Sequence, residues 1–375
     1  MSFRLKSTTL AIASMVLSLT VPFPGFFSSN SLLAVAQTQT NQNRKAEAEQ
    51  LLQVGRQLSE KGQFNAALES LQRALTVFQQ IQERNGETIT LNELGKAYES
   101  LSDYGRMGEV YQKALVLARE VDNRNEEGNA LNGVGDIYYY KSDFSKALEF
   151  YQQALAVFQA IGNRKGKAQS LNNIGNLSVQ QGQYLKALEL YQQALTISKE
   201  ISNHYIESSA TGGIGVVYNN LGQYPKALFF FQQALTINKE IGNRYIEGSV
   251  LTSIGTVYAS LGQYLKALEA YQKVLTISKE IDNLKSEGDS LSNIGFVYGN
   301  LGQYPKALEF YHQSLAIRKK IGDRYGEGQS LNNIGGIYNE LGQYPKALEF
   351  HQQALVLEKE IGDRKGEGTT LNNIG

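Results

Sequence analysis

The chain has 375 residues, with 36 Lys and Arg against 36 Asp and Glu, so its formal net charge is zero. That balance excludes the positive footprint of a general nucleic-acid binder or of a protein held on an anionic membrane. With no cysteine and three histidines, it also excludes disulfides, thiolate metal sites and a cysteine nucleophile, and leaves acid–base catalysis short of its usual residue.

Residues 1–36 read as an export signal. Arg4 and Lys6 precede an uncharged apolar stretch from Leu10 to Val21, which Pro22, Pro24 and Gly25 break. Ala34-Val35-Ala36 then offers the small-x-small pattern that a signal peptidase accepts. The rival reading is an uncleaved anchor from Ser7 to Phe27, against which the prolines and glycine argue. The expectation is a protein exported from a bacterial cytoplasm, with no stable membrane insertion after cleavage. Residues 37–43 (QTQTNQN) are polar and uncharged and are expected as a short flexible linker.

From Arg44 onward one pattern fills the chain. Gly55, Gly95, Gly135, Gly175, Gly215, Gly255, Gly295, Gly335 and Gly375 stand 40 residues apart without an insertion or deletion. In the unit beginning at Asp323, Leu331, Ile334, Gly335 and Tyr338 fall on one helical face. Tyr344, Ala347, Leu348, Phe350, His351 and Ala354 do the same in the second half. Between them Gly342 suits a helix C-cap and Pro345 the first turn of the next helix. Asp323 is placed to cap the first helix. Each unit is therefore a hairpin of two helices, too small to bury its apolar face alone, and successive hairpins must stack into a solenoid. Residues 44–375 hold eight complete pairs and the first helix of a ninth.

This pattern resembles the tetratricopeptide repeat. In the unit from Arg164, Leu171, Ile174, Gly175, Ala187, Tyr191 and Ala194 stand at that family's relative spacings. Lys199 occupies the place of a frequent proline, and the 40-residue length resembles the extended variant of kinesin light chains and Leu-Gly-Asn-repeat adaptors. The resemblance implies an all-α, right-handed superhelical solenoid. Its inner groove, lined by first helices, would bind a peptide or protein segment.

Asparagine recurs beside the core leucine of the first helices as Asn92, Asn132, Asn172, Asn173, Asn293, Asn332, Asn333, Asn372 and Asn373. Asparagine is a mediocre helix former, so this repetition is a candidate peptide-binding ladder. Helix geometry puts Asn332 and Asn333 about 110° to 150° from the centre of their own core face, an orientation expected to open on the groove. An amide carries both donor and acceptor and can pair with a partner's main chain. The rival is that the amides bond to neighbouring repeats. On the ladder reading, Asn332→Ala with Asn333→Ala weakens partner binding and leaves helicity unchanged. Gly212 and Gly213 interrupt the ladder, suggesting two patches, one around Asn132 and Asn172, the other around Asn293 and Asn332, with a softer segment between.

Gly105, Met107 and Gly108 are expected to loosen the second unit, and Lys186, Lys226, Lys266, Lys306 and Lys346 to form a solvated outer row. Groove columns hold almost no Lys or Arg apart from Lys96, unlike repeats that clamp a partner's carboxylate. Asp136, Asp289, Phe296 and Glu340 are variable positions expected to tune selectivity. No nucleophile elbow, phosphate loop or zinc signature occurs, so neither catalysis nor a cofactor is expected. The reading is a protein–protein interaction scaffold of open oligomeric state. The alternative is the recognition arm of a larger protein, joined to a caspase-related peptidase beyond Gly375.

Overall fold

The computed structural model describes residues 29–375, with side chains from Gln37 onward. Most of the expected export signal, residues 1–28, lies outside the described residues.

The described residues form seventeen helices and no strand. They pair as α1 (Ser29–Glu60) with α2 (Phe64–Gln80), α3 (Arg84–Ser100) with α4 (Tyr104–Glu120), and α5 (Arg124–Tyr140) with α6 (Phe144–Ala160). Next come α7 (Arg164–Gln180) with α8 (Tyr184–Glu200) and α9 (His204–Asn220) with α10 (Tyr224–Ile241). The last three pairs are α11 (Arg244–Ser260) with α12 (Tyr264–Glu280), α13 (Leu284–Asn300) with α14 (Tyr304–Ile321), and α15 (Arg324–Glu340) with α16 (Tyr344–Ile361). A single helix, α17 (Arg364–Ile374), follows. One bound differs from the sequence expectation. Helix α1 is described from Ser29 on, so residues 37–43, expected as a flexible linker, are helical and exposed. No proline or glycine interrupts them, and nothing in their sequence stops α1 from running on.

Local chemistry sets the helix ends. From α5 on, the residue before each first helix is Asn or Asp, whose side chain accepts the third backbone N–H, as Asn163 does from Gly166. The turn after each first helix needs a left-handed residue, filled by Gly182, Gly222, Gly262, Gly302 and Gly342. In the second and third repeats Ser102 and Ser142 adopt it instead.

The glycines spaced by 40 have a packing reason. A Cβ on Gly135, Gly175, Gly215, Gly255 or Gly295 would lie 2.5–3.0 Å from the ring of Tyr151, Tyr191, Phe231, Tyr271 or Tyr311 respectively. The ring of each second helix thus lies directly on the backbone of its first helix. Full burial of such a ring contributes about 1.5–3 kcal/mol, and Tyr151 and Tyr191 are at most 2% exposed. Gly213 belongs to the same logic, since its Cβ would meet Tyr191 of the preceding repeat at 2.5 Å, whereas Gly212 faces open space. In the second repeat Met107 is fully buried. The lysine row is not simply solvated. Lys146, Lys226, Lys266, Lys306 and Lys346 each lie 5.0–5.3 Å over the tyrosine ring that ends the preceding helix's core face. Lys186 has Ser178 in that place and no ring to cover.

Successive first helices touch one another, α3 with α5, α5 with α7 and α7 with α9, and no pair of second helices comes as close. First helices therefore take the inner face of the curve. The curve also closes. Phe64, after the α1–α2 turn, packs edge-on against Tyr245 of α11 at 5.0 Å, and Lys285 of α13 donates to Ser102 Oγ at 2.6 Å. One superhelical turn brings the first repeat against the sixth.

Candidate functional site

Two concavities open on the first-helix side. The N-terminal one, about 320 Å³, is walled by α3, α5, α7 and α9 and includes Asn132, Asn172 and Asn173. The C-terminal one, about 620 Å³, is walled by α11, α13, α15 and α17 and includes Asn293, Asn332 and Asn333. Asn92 lines neither.

The asparagines divide into two columns with different roles. Asn92, Asn132 and Asn172 directly follow the core leucine and are 1%, 7% and 7% exposed. Asn92 donates to the backbone oxygen and carboxylate of Glu126, Asn132 accepts from Ser170 Oγ at 3.1 Å, and Asn172 donates to Ser209 Oγ at 2.6 Å. These amides tie each first helix to the next. They do not stand free in a groove, as their angle from their own core had suggested. The reason is that the neighbouring first helix covers that side. Asn332 is bound likewise: it donates to Glu358 Oε1 and Thr370 Oγ1 and accepts from His351 Nδ1 at 2.9 Å. Asn332→Ala would therefore disturb packing, contrary to the expectation of unchanged helicity. The following residue, Asn173, Asn293 or Asn333, turns further out. Asn173 and Asn293 are half-buried and Asn333 is exposed, with long contacts to Asp136 (3.5 Å) and Ser292 (3.4 Å) for the first and last.

The remaining walls set the electrostatics. In the N-terminal concavity Asp136 Oδ1 accepts the Tyr151 hydroxyl at 2.7 Å and Glu99 Oε1 the Tyr140 hydroxyl at 3.0 Å. Burial, reinforced by the charge of Glu99, pushes the Asp136 carboxyl well up, and burial raises Glu99 too. Both tyrosine hydroxyls are pushed up, by burial first and the facing carboxylates next. Lys96 lies at the edge, held by Glu93 at 3.2 Å. In the C-terminal concavity Arg318, 5% exposed, pairs with Asp289 at 2.7 Å and Asp323 at 3.1 Å. His351 is 1% exposed and burial lowers its pKa. Phe296 and Tyr325 stand exposed on the wall. Of the proposed selectivity positions, Asp136, Asp289 and Phe296 line the concavities, whereas Glu340 lies outside them and accepts the Tyr304 hydroxyl at 3.4 Å. The sequence reading missed the tyrosine hydroxyls and Arg318. The signal for Arg318 was a charge in a column that begins with Phe78, Ala118 and Phe158 and turns polar from Ser198 on.

Among the described residues no group of three or more His, Asp or Glu is placed to hold a metal, and no helix is long and apolar enough to cross a membrane. His312 is exposed and stacks edge-on with Phe350, apart from His351.

The solenoid has counterparts among solved structures. A Rap protein crystallised with competence and sporulation factor aligns with a TM-score of 0.58 at 14% identity, covering 88% of this chain and 97% of that one. A signal-transduction ATPase with numerous domains from Pyrococcus horikoshii, which carries a tetratricopeptide repeat sensor, aligns with a TM-score of 0.59 at 17% identity. That match covers 84% of this chain but 52% of the ATPase. BtubC (BKLC) from P. vanneervenii aligns with a TM-score of 0.50 at 18% identity, covering 59% of this chain and 90% of that one. These likenesses are of fold. No curated protein matches the sequence. The tetratricopeptide repeat model matches residues 87–160, 166–240, 207–280, 247–320 and 286–357, and with the helix hairpins stacked in one register the chain belongs to the tetratricopeptide repeat family.

Proposed function

We propose that this chain is a protein–protein interaction scaffold that holds an extended segment of a partner along its inner face. The observation that carries this reading is the pair of polar concavities on the first-helix side, separated by the α9–α11 region where the asparagines lapse. Tetratricopeptide repeat folds are typical of such scaffolds, and the Rap neighbour was crystallised with a factor bound. Asn173, Asn293 and Asn333 are the amides left with weak or no partners inside the fold, and they are the ones to meet a partner's main chain. Export to the periplasm or beyond remains part of the proposal, as does service as the recognition arm of a larger enzyme.

Selection of displayed random 15-residue peptides on the chain supplies a probe without a known partner. Selected peptides should lose about 10-fold in affinity, about 1.4 kcal/mol, to the Asn293→Ala/Asn333→Ala variant, whose melting temperature stays unchanged. Peptides whose affinity is indifferent to that variant, and equally to Asn173→Ala, would place binding elsewhere and overturn the reading.

A further inference from the structure

We propose that the concavity walled by α3, α5, α7 and α9 is a subsite for the guanidinium of one arginine side chain on the partner segment. This rests on the scaffold reading and specifies its ligand. The volume, about 320 Å³, is at the small end of ligand pockets, which run from ~300 to 1,000 Å³. It suits one side chain rather than a whole peptide.

The walls hold acceptors without an ion pair, although the charge of Lys96 is felt at Glu99. Neither Glu99 nor Asp136 forms an ion pair with any described residue, and the donors that reach them are the two tyrosine hydroxyls and, at 3.5 Å, the Asn173 amide. Lys96 is committed to Glu93. An independent sign comes from Asn172 on the same wall. The residue is 7% exposed, its amide nitrogen is used by Ser209, and its carbonyl oxygen accepts no hydrogen bond. A buried acceptor left unpaired costs about 1–3 kcal/mol, so such a group beside two carboxyls that have tyrosine donors but no ion pair marks a place for donors from outside.

The pattern discriminates between cations. An ammonium brings three donors around a point, whereas a guanidinium brings five in a planar fork that meets carboxylates in pairs and lies on aromatic faces. Tyr140 and Tyr151 offer hydroxyls already turned to the carboxylates, and their rings stand beside the space. The charge of a bound cation would also oppose the desolvation that holds both carboxyls up, so entry of the arginine favours their ionised forms.

The test uses the full chain and acetylated, amidated Gly-Arg-Gly, with the Lys and citrulline versions beside it, titrated by NMR or calorimetry. The arginine peptide should saturate a single site. Lysine should bind severalfold more weakly, and citrulline, which keeps the shape and loses the charge, at least 10-fold more weakly. Asp136→Asn should cost at least 10-fold while the circular dichroism spectrum is kept and the melting temperature is held or raised. Lys186→Ala, exposed and outside both concavities, should leave the arginine peptide unaffected. Equal binding of arginine and citrulline, equal binding of arginine and lysine, no saturable site, or indifference to Asp136→Asn would each overturn the proposal. If displayed peptides still depend on Asn293 and Asn333 while the arginine peptide fails, the arginine subsite falls and the scaffold stands.

Discussion

The two halves of the solenoid solve the same joint with different chemistry. Near the end of each second helix one buried residue wedges against the first turn of the next repeat. It is Phe78, Ala118 and Phe158 in the N-terminal half, and Ser278, Arg318 and Glu358 in the C-terminal half. Where that residue is large, the opposing position is glycine in both: Phe78, Phe158, Arg318 and Glu358 face Gly86, Gly166, Gly326 and Gly366. At these four joints a bulky side chain is seated on bare backbone whatever its polarity, provided hydrogen bonds follow it. What differs is the response to damage and to solvent. A dry joint fails through a cavity, a polar joint through an unpaired charge.

The largest effect expected follows from the dry joint. Phe158→Ala should destabilise the third and fourth repeats by about 3–5 kcal/mol, read as a lower urea midpoint. Gly166→Ala alone should cost about 1–3 kcal/mol through overpacking, and much less in the Phe158→Ala background. Additive costs in that double-mutant cycle would break the size-matching account.

The polar joint should respond less. Arg318→Ala leaves Asp289 and Asp323 without their cation, and because the Asp289 side chain is half exposed the cost should fall at the low end of the ~3–5 kcal/mol seen for broken buried pairs. Arg318→Met, of similar length and apolar, should recover part of the loss. Were Met worse than Ala, volume would not be what that joint requires.

Acidification should separate the halves most subtly. The raised carboxyls of Asp136 and Glu99 hold protons in the folded state at pH values where the unfolded chain has released them. Their contribution is thus greatest at low pH and is lost as pH rises above their ordinary values of 3.8 and 4.5 through the raised ones. His351 acts in the opposite sense. Its pKa is lowered below 6.5 by burial, so the unfolded chain takes the proton first and stability is lost as pH falls below that value. Hydrogen exchange between pH 7 and 5 should show α15 and α16 loosening severalfold, after correction for the intrinsic pH dependence of exchange, while α3 and α5 hold or tighten. His351→Tyr, which restores the ring of the other repeats, should abolish the C-terminal response.

Much of this architecture is legible in the residues. Nine glycines in register set the repeat, and the ring 16 residues later explains why seven of them, Gly95 to Gly335, are glycine. The helix bounds follow from Asn or Asp caps and left-handed glycines. The asparagines were legible only in part, because a helical wheel measures an angle against a residue's own core and is blind to the helix alongside. That blindness hid the ties between repeats that Asn92, Asn132 and Asn172 make, and it put Asn92 in a groove that it does not line, although Asn132 and Asn172 do. The lysine row carried its own clue in Lys186, whose tyrosine is replaced by Ser178, but a pairing across two helices is visible only once the hairpin is closed. The carboxylates of Glu99 and Asp136 lie 37 residues apart in chain order, and only the curvature of the stack makes them one site.

The contact of Phe64 with Tyr245 changes how such an array folds. A stack of hairpins that meet only their neighbours behaves as a one-dimensional chain, in which any repeat melts with little news reaching the far end. Here the first repeat also rests on the sixth, so the ordered segment between them is a closed ring. Opening any one joint inside it strains the seam, and breaking the seam frees the six repeats that it closes. Unfolding should therefore proceed from the arc beyond α13, which no such contact among the described residues restrains, while the ring melts as a unit.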